Sequence, residues 1–213
     1  MKVIIKNSNL VFQREHTAQV VYKDYWVRGQ GQYVLLSALG TSVVGLAFNK
    51  YKGKFECYID TNTTSSFYAL MSSRSSYLQA YSSGAEFGWK NDSVSVSIND
   101  VSGASEHYIE FDNSVGTANI DGTPKSFTAP GTSKANYISL FALGADDERA
   151  TAVGYSAGRF KFKRLRLYDA TNDTLLCDIR PALVDNVPCL YDSVSETKLF
   201  SADGTTMVVE DAE

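Results

Sequence analysis

Few residues in this chain have the types and spacing that chemistry needs. Glu110 and Asp112 flank Phe111 in Ile109-Glu110-Phe111-Asp112-Asn113. Alternate positions of a strand share a face, and two carboxylates about 5 Å apart on one face are the nucleophile and general acid of a retaining glycoside hydrolase. The same alternation arises on the wet face of any strand. His16 and His107 are the two histidines, and neither stands in a recognisable nucleophile setting, so both read as structural or solvent-facing. Asp146-Asp147-Glu148 and the set Asp169, Asn172, Asp173 are oxygen-rich enough to consider for Ca²⁺. Neither has Asp-x-Asp-x-Asp-Gly spacing, and turn formation alone explains the second. No catalytic residue, metal ligand or cofactor motif is assigned from these patterns.

Binding asks less of a sequence than catalysis. An aromatic platform flanked by hydrogen-bonding groups is sufficient for a sugar. Tyr68, Arg74, Tyr77, Tyr81 and Trp89 fall in one serine-rich region, and if Tyr77, Gln79 and Tyr81 face outward the two tyrosines form a stripe on a sheet face. This set is the candidate carbohydrate-binding site. The competing role of the same aromatics is to pack the fold or a subunit interface.

These residues must be positioned by strands. Phe55, Cys57 and Ile59 alternate with polar neighbours, as do Val94, Val96 and Ile98 and then Ile109 and Phe111. Asp121-Gly122 predicts a hairpin turn. Tyr137 to Leu143 is apolar at nearly every position and predicts a central strand covered on both faces. Tyr33 to Phe48 is too short and too interrupted to span a bilayer, and reads as two buried strands around a Gly-Thr-Ser turn. With 213 residues, 12% aromatics and no helix-period stretch, one large β domain is expected, burying roughly 70% of the surface its unfolded chain exposes.

Charge and cysteine usage narrow the class. A net charge of −4 argues against a nucleic-acid-binding surface. The local exception is Lys161, Lys163, Arg164 and Arg166, read either as a solvated or edge strand protected from aggregation or as a site for an anionic partner. Cys57, Cys177 and Cys189 are odd in number and set among apolar residues, so buried free thiols made in a reducing cytosol are expected, with Cys177 to Cys189 the one pairing to check. The opening residues are interrupted by Lys6-Asn7-Ser8-Asn9 and do not read as a secretory signal.

The stretch from Gly158 to Gly204 organises the rest. Phe160 and Phe162 alternate with lysines, and Leu165 and Leu167 with arginines; the phase slips at Lys163-Arg164, the mark of a β-bulge or of a change in pairing. Thr171-Asn172-Asp173 turns the chain, and the return strand from Leu175 is expected to end at Pro181. A strand ending in Leu167-Tyr168-Asp169, the run Asp178 to Pro181, Cys189-Leu190-Tyr191-Asp192, and Phe200 before Ala202-Asp203-Gly204 resemble the closing segment of concanavalin A-like lectin/glucanase, or laminin-G-like, domains. Glu106 to Phe127 resembles the same family's central hairpin, and Leu39-Gly40-Thr41 its opening strand, so that residues 36 to 205 are covered.

The form most similar occurs in phage virion proteins and in proteins of gut bacteria. The resemblance implies an all-β, antiparallel β-sandwich of jelly-roll type. The glucanases of this fold carry a third alternating carboxylate, and the matching position here is Ser114, which argues against hydrolysis. Residues 1–30 have no counterpart and are expected to be an extension that either adds a strand to its own sandwich or docks on a neighbouring subunit; residues 31–213 are expected to be the jelly-roll domain.

Two functions follow as expectations. One is a non-enzymatic structural or accessory protein of a bacteriophage virion, made in the host cytoplasm, assembled with other virion proteins or with itself, and able to bind host-surface polysaccharide without inserting into a membrane. The other is a free-standing bacterial carbohydrate-binding or glycoside hydrolase-like protein.

Overall fold

The computed structural model describes residues 2–6, 9–13, 18–27, 31–59, 67–73, 76–81, 86–91, 94–98, 105–127, 129, 138–146, 149–153 and 160–212. In chain order the strands are Lys2–Lys6 (β1), Asn9–Gln13 (β2), Val20–Tyr22 (β3), Tyr25–Val27 (β4), Val34–Leu35 (β5), Tyr51–Ile59 (β6) and Phe67–Ser73 (β7). There follow Ser76–Tyr81 (β8), Glu86–Asn91 (β9), Val94–Ile98 (β10), Ser105–Asp112 (β11), Thr117–Ile120 (β12), Thr123–Ser126 (β13) and Ser139–Leu140 (β14). The last are Ala142–Asp146 (β15), Arg149–Val153 (β16), Phe160–Asp169 (β17), Thr174–Val184 (β18), Val187–Asp192 (β19), Thr197–Leu199 (β20) and Val208–Glu210 (β21).

These strands form an all-β antiparallel sandwich, the fold class read from the sequence. The larger sheet runs β13-β12-β11-β6-β17-β18-β19-β20, with β4 paired to β17 and β21, and β3 paired to β18. The second sheet runs β10-β9-β8-β7-β14-β5. Two further hairpins, β1 with β2 and β15 with β16, pair only with themselves among the described strands. One apolar cluster joins the two sheets: Phe55, Ile109, Phe162, Leu165 and Ile179 come from the larger, and Val34, Met71 and Leu140 from the smaller. Its centre is aromatic. Trp26 packs edge-on against Phe141 at 5.1 Å between ring centroids, and Phe162 lies 5.6 Å from Phe55 and 5.9 Å from Phe141, a geometry that aligns ring edges with ring faces.

Alternation fixes the two faces of the larger sheet. On β6, Tyr51, Gly53, Phe55 and Cys57 are buried while Lys52, Lys54, Glu56 and Tyr58 point the other way. On the outward side a small second cluster gathers Ala182, Val184 and Cys189 with Val20 and Tyr191. All three cysteines are buried and unpaired.

Several expectations are corrected. Tyr33 to Phe48 does not make two strands: after β5 the chain coils through a 3₁₀ turn, Leu36–Leu39, and a single helical turn, Thr41–Val44. Leu36, Leu39, Val43 and Val44 are all buried, a spacing a coil can satisfy as well as a strand. Gly40, at φ +80°, joins the two turns, and its carbonyl accepts from the N–H groups of Val43 and Val44. The expected central strand at Tyr137 to Leu143 is broken at Phe141, where φ is +66°. Ser139 and Leu140 pair with β7 and β5, whereas Ala142 onward pairs with β16; the kink turns the Phe141 ring into the aromatic centre.

Nor does Pro181 end its strand, since β18 continues to Val184. The Pro181 carbonyl accepts from Lys23 N–H, so its nitrogen faces the same side. On that side β18 has left β17, after Ile179, and meets β3 from Ala182. The missing donor falls at the change of neighbour, where no ladder bond is lost. Finally, β17 is not an edge: it lies between β6 and β18. The bulge is present, with Phe162 opposite Cys57 and Arg164 opposite Glu56, leaving Lys163 as the extra residue.

Three hairpin loops share one construction. Asp112 to Thr117, Asp169 to Thr174 and Asp192 to Thr197 each begin with Asp and end with Thr, and the residue before Thr has positive φ: Gly116 at +67°, Asp173 at +61° and Glu196 at +56°. In each, the leading Asp holds the loop. Asp112 Oδ1 accepts from Ser114 N–H and Oγ–H at 2.9 and 2.5 Å, and Asp169 Oδ1 from Thr171 N–H and Oγ1–H at 2.8 and 2.6 Å. Asp192 Oδ2 accepts from Ser195 N–H and Oγ–H at 3.0 and 2.6 Å.

Candidate functional site

A groove of about 590 Å³ crosses the outward face of the larger sheet. Its walls are side chains that alternation turns outward: Lys52 and Lys54 from β6, Glu110 and Asp112 from β11, Asn119 from β12 and Tyr168 from β17. Gly53, Phe111 and Ala118 also line it, from the positions between. A Cβ on Gly53 would lie 2.6 Å from Phe111 Cζ and 3.0 Å from the Arg166 carbonyl, so only glycine lets the Phe111 ring lie across β6. Two of the three matching loops border the groove, contributing Asp112 with Thr117, and Asp173.

The charges in the groove are largely committed. Lys54 Nζ lies 2.5 Å from Glu110 Oε1, which also accepts from Tyr108 Oη–H at 2.9 Å. Lys52 is paired with Asp173. The hydrogen bond from Lys54, then that from Tyr108, lowers the Glu110 pKa below the usual carboxylate range, and Glu110 in turn raises that of Lys54. A glycosidase general acid needs the opposite shift. The alternating pair Glu110 and Asp112 therefore shares a face as expected, but Glu110 is held ionised and Asp112 is tied to Ser114, the residue at the third position of the hydrolase pattern.

Beyond the groove the same face is a lattice of opposite charges. Arg164 Nε and Nη2 donate to Asp178 Oδ1 and Oδ2 at 2.8 and 2.7 Å, and Arg166 Nη2 donates to Glu56 at 2.9 Å. Lys163 reaches Glu106 at 2.8 Å, and Lys161 pairs with Glu210. Every cation of the stretch read as strongly basic has a carboxylate partner, so the face is neutralised residue by residue. Glu106 also accepts from the Tyr25 hydroxyl, which, with burial and the Glu106 charge, pushes the Tyr25 pKa up to about 12.

His107 has a setting that sequence reading missed. Its Nδ1 lies 2.7 Å from Asp121 Oδ2 and its Nε2 lies 3.1 Å from Ser105 Oγ. The order serine, histidine, carboxylate is that of a nucleophilic relay. However, the His107 side chain is only 3% exposed, and the small cleft beside it, lined by Glu56, Glu106, His107, Asp121 and Lys163, does not include Ser105. Asp121 Oδ1 also accepts from Tyr108 N–H at 2.7 Å, so the cluster pins the turn between β12 and β13 back onto β11. The signal was present as His107 and Asp121 at the two ends of a hairpin, but it needs the register to be seen.

The aromatic set chosen from the sequence falls in the other sheet. Tyr68 is on β7, Tyr77 and Tyr81 on β8 and Trp89 on β9; Tyr77 is opposite Ser72 and Lys90, and Trp89 opposite Leu78 and Val96. The backbone thus brings these four onto three neighbouring strands, away from the groove strands. Arg74 lies outside the described residues, as do His16, Asp147 and Glu148. Among the described residues no group of three or more His, Cys, Asp or Glu is arranged to hold a metal ion. Asp169 and Asp173 of the second calcium candidate are engaged with Thr171 and Lys52.

No family model and no curated protein matches the chain. Among solved structures, the native heptameric SAP-like pentraxin from Limulus polyphemus is similar in shape, with a TM-score of 0.44 and 11% identity over 84% of this chain and 96% of that one.

Proposed function

We propose that this chain is a non-catalytic glycan-binding protein of a bacteriophage virion, a surface or tail-associated accessory component, and that the groove across β12, β11, β6 and β17 is its ligand site. The observation that carries the binding part is the groove itself: the half-buried Tyr168 lines one side of it, and across β6 the carboxylates of Glu110 and Asp112 and then Asn119 line the other. An aromatic face with hydrogen-bonding groups around it is the chemistry that recognises a sugar ring. Binding without turnover is supported by Glu110, whose ionised state suits a hydrogen-bond acceptor and not a general acid. The virion part is supported by the strand ends and turns of residues 36 to 205.

Glycan-array screening of the purified protein tests the binding, and immunodetection on purified particles tests the location. Tyr168→Ala with Asn119→Ala is expected to abolish glycan binding and leave the melting temperature within about 2 °C of the parent. If Tyr77→Ala with Tyr81→Ala abolishes it instead, the site is the tyrosine stripe of the second sheet. If neither pair matters, both sites are excluded, and if the array shows no binding at all the glycan reading is wrong.

A further inference from the structure

The committed and uncommitted charged atoms of the groove differ in kind. Both lysines that line it are used, Lys52 by Asp173 and Lys54 by Glu110. The acceptors are not exhausted. Asp112 is held through Oδ1, Glu110 through Oε1 and Asp173 through Oδ1, which leaves the second oxygen of each carboxylate without a partner among the described residues. The side-chain amide of Asn119 and the hydroxyls of Thr117 and Tyr168, which also line the groove, are neutral groups with no hydrogen-bond partner among the described residues. Two lysines against three carboxylates make the lining negative by one charge.

The free groups that carry charge are all acceptors, whereas the free donors are neutral, so the groove favours a ligand that brings hydrogen-bond donors and disfavours one that brings negative charge. Each carboxylate oxygen accepts from a hydroxyl with the strength of a charge-assisted bond, whereas an anion would meet uncompensated acceptors and find both cations already neutralised. We infer that the groove selects neutral, hydroxyl-rich glycans and rejects uronate- or sulfate-bearing ones, with Asp112, Glu110 and Asp173 as the specificity-determining acceptors. This rests on the groove being the ligand site.

The test is a binding titration of the full chain against soluble dextran, galactan and mannan on one side and polygalacturonate and heparin on the other, repeated from low to high NaCl. At least one neutral polymer is expected to bind, with its Kd changing by less than about twofold across the salt series, and both polyanions at least about tenfold more weakly. Asn119→Lys, which places a cation opposite Glu110 and removes the excess negative charge of the lining, is expected to tighten polygalacturonate binding about tenfold. Tighter binding of a polyanion to the parent, weakened by salt and lost in Tyr168→Ala, would overturn the selectivity while leaving the groove as the site. No binding by any of the five, with no gain in Asn119→Lys, would overturn both readings.

Discussion

Arg164 on β17 reaches diagonally to Asp178 on β18, whose opposite residue is Arg166, in a two-pronged ion pair, Nε and Nη2 of the guanidinium on the two carboxylate oxygens at 2.8 and 2.7 Å. The bulge makes this pairing available. With Lys163 as the extra residue, Lys163 reaches towards β11 and Glu106 while Arg164 reaches the opposite way to β18. The pair is partly sheltered, with side-chain exposures of 23% and 12%. Removing one member strands the other, so Asp178→Ala is expected to cost about 2–3 kcal/mol in urea unfolding. Arg164→Lys keeps the charge but loses the fork, and should cost about half as much. Equal stabilities for all three proteins would show that water screens the pair completely.

Acid should weaken the sheet. Glu106 is lowered by its hydrogen bond from Lys163 and then by that from Tyr25, Glu110 by those from Lys54 and Tyr108. Burial is the largest influence on Asp178 and pushes it up, but the Arg164 hydrogen bonds together with the charges of Arg164, Arg180 and Arg166 outweigh it, and its net shift is also down. A carboxylate whose folded pKa lies below its unfolded value contributes stability above the unfolded pKa, about 4, and loses it as pH falls through the folded one. The melting temperature is expected to be flat from pH 7 to about 5 and to drop below about 4. A melting temperature that holds steady into that acid range would contradict the charge lattice.

Two glycines separate strain from collision. Gly116 and Gly122 both have positive φ, +67° and +86°. A Cβ on Gly116 would sit 2.1 Å from the Phe127 carbonyl oxygen, whereas one on Gly122 meets nothing within 4 Å. Gly122→Ala is expected to cost about 1 kcal/mol, from the backbone alone. Gly116→Ala must move main chain as well and should cost at least about 3 kcal/mol. Thermal melts of the two variants side by side decide it; similar losses would mean the Phe127 segment yields freely.

The matching loops differ in burial, and their leading aspartates should differ in worth. Asp192 is fully buried and serves the N–H groups of Asp178 and Ser195 and the Ser195 hydroxyl, while the Asp169 carboxylate, at the surface, accepts from Thr171 alone among the described residues. Asp169→Ala should cost about 1 kcal/mol and Asp192→Ala about 3 or more, since the latter leaves buried donors unmet. Denaturation midpoints in the reverse order would refute this view of the loops.

Strand existence was legible wherever one face is wet. β6, β11 and β17 alternate cleanly, and the bulge at Lys163, the turn at Asp121-Gly122 and the reversal at Thr171-Asn172-Asp173 all follow from local rules. Legibility failed where burial is two-sided. Leu36 to Val44 is apolar enough for either a strand or a coil, and Phe141 departs from its strand for a reason set by Trp26 and Phe162, distant in sequence. The groove was illegible for a similar reason: Lys52, Glu110, Asn119 and Tyr168 come from four strands, and only the register places them together. Glu110 and Asp112 are legible as an alternating carboxylate pair, but the bonds from Lys54 and Tyr108 that lower the Glu110 pKa are not.

The pairing of β4 has a kinetic side. Tyr25–Val27 lies between β17 and β21, so an early segment of the chain can reach its place only after two of the last strands have arrived. Loops of that length close slowly, and a sheet with such connections gathers its local hairpins, such as β11 with β12 and β17 with β18, before its seam is sealed. Trp26 sits in that seam with its ring in the aromatic centre. Burial of its indole is then a late event in refolding, and during synthesis the seam stays open until Val208–Glu210 has left the ribosome.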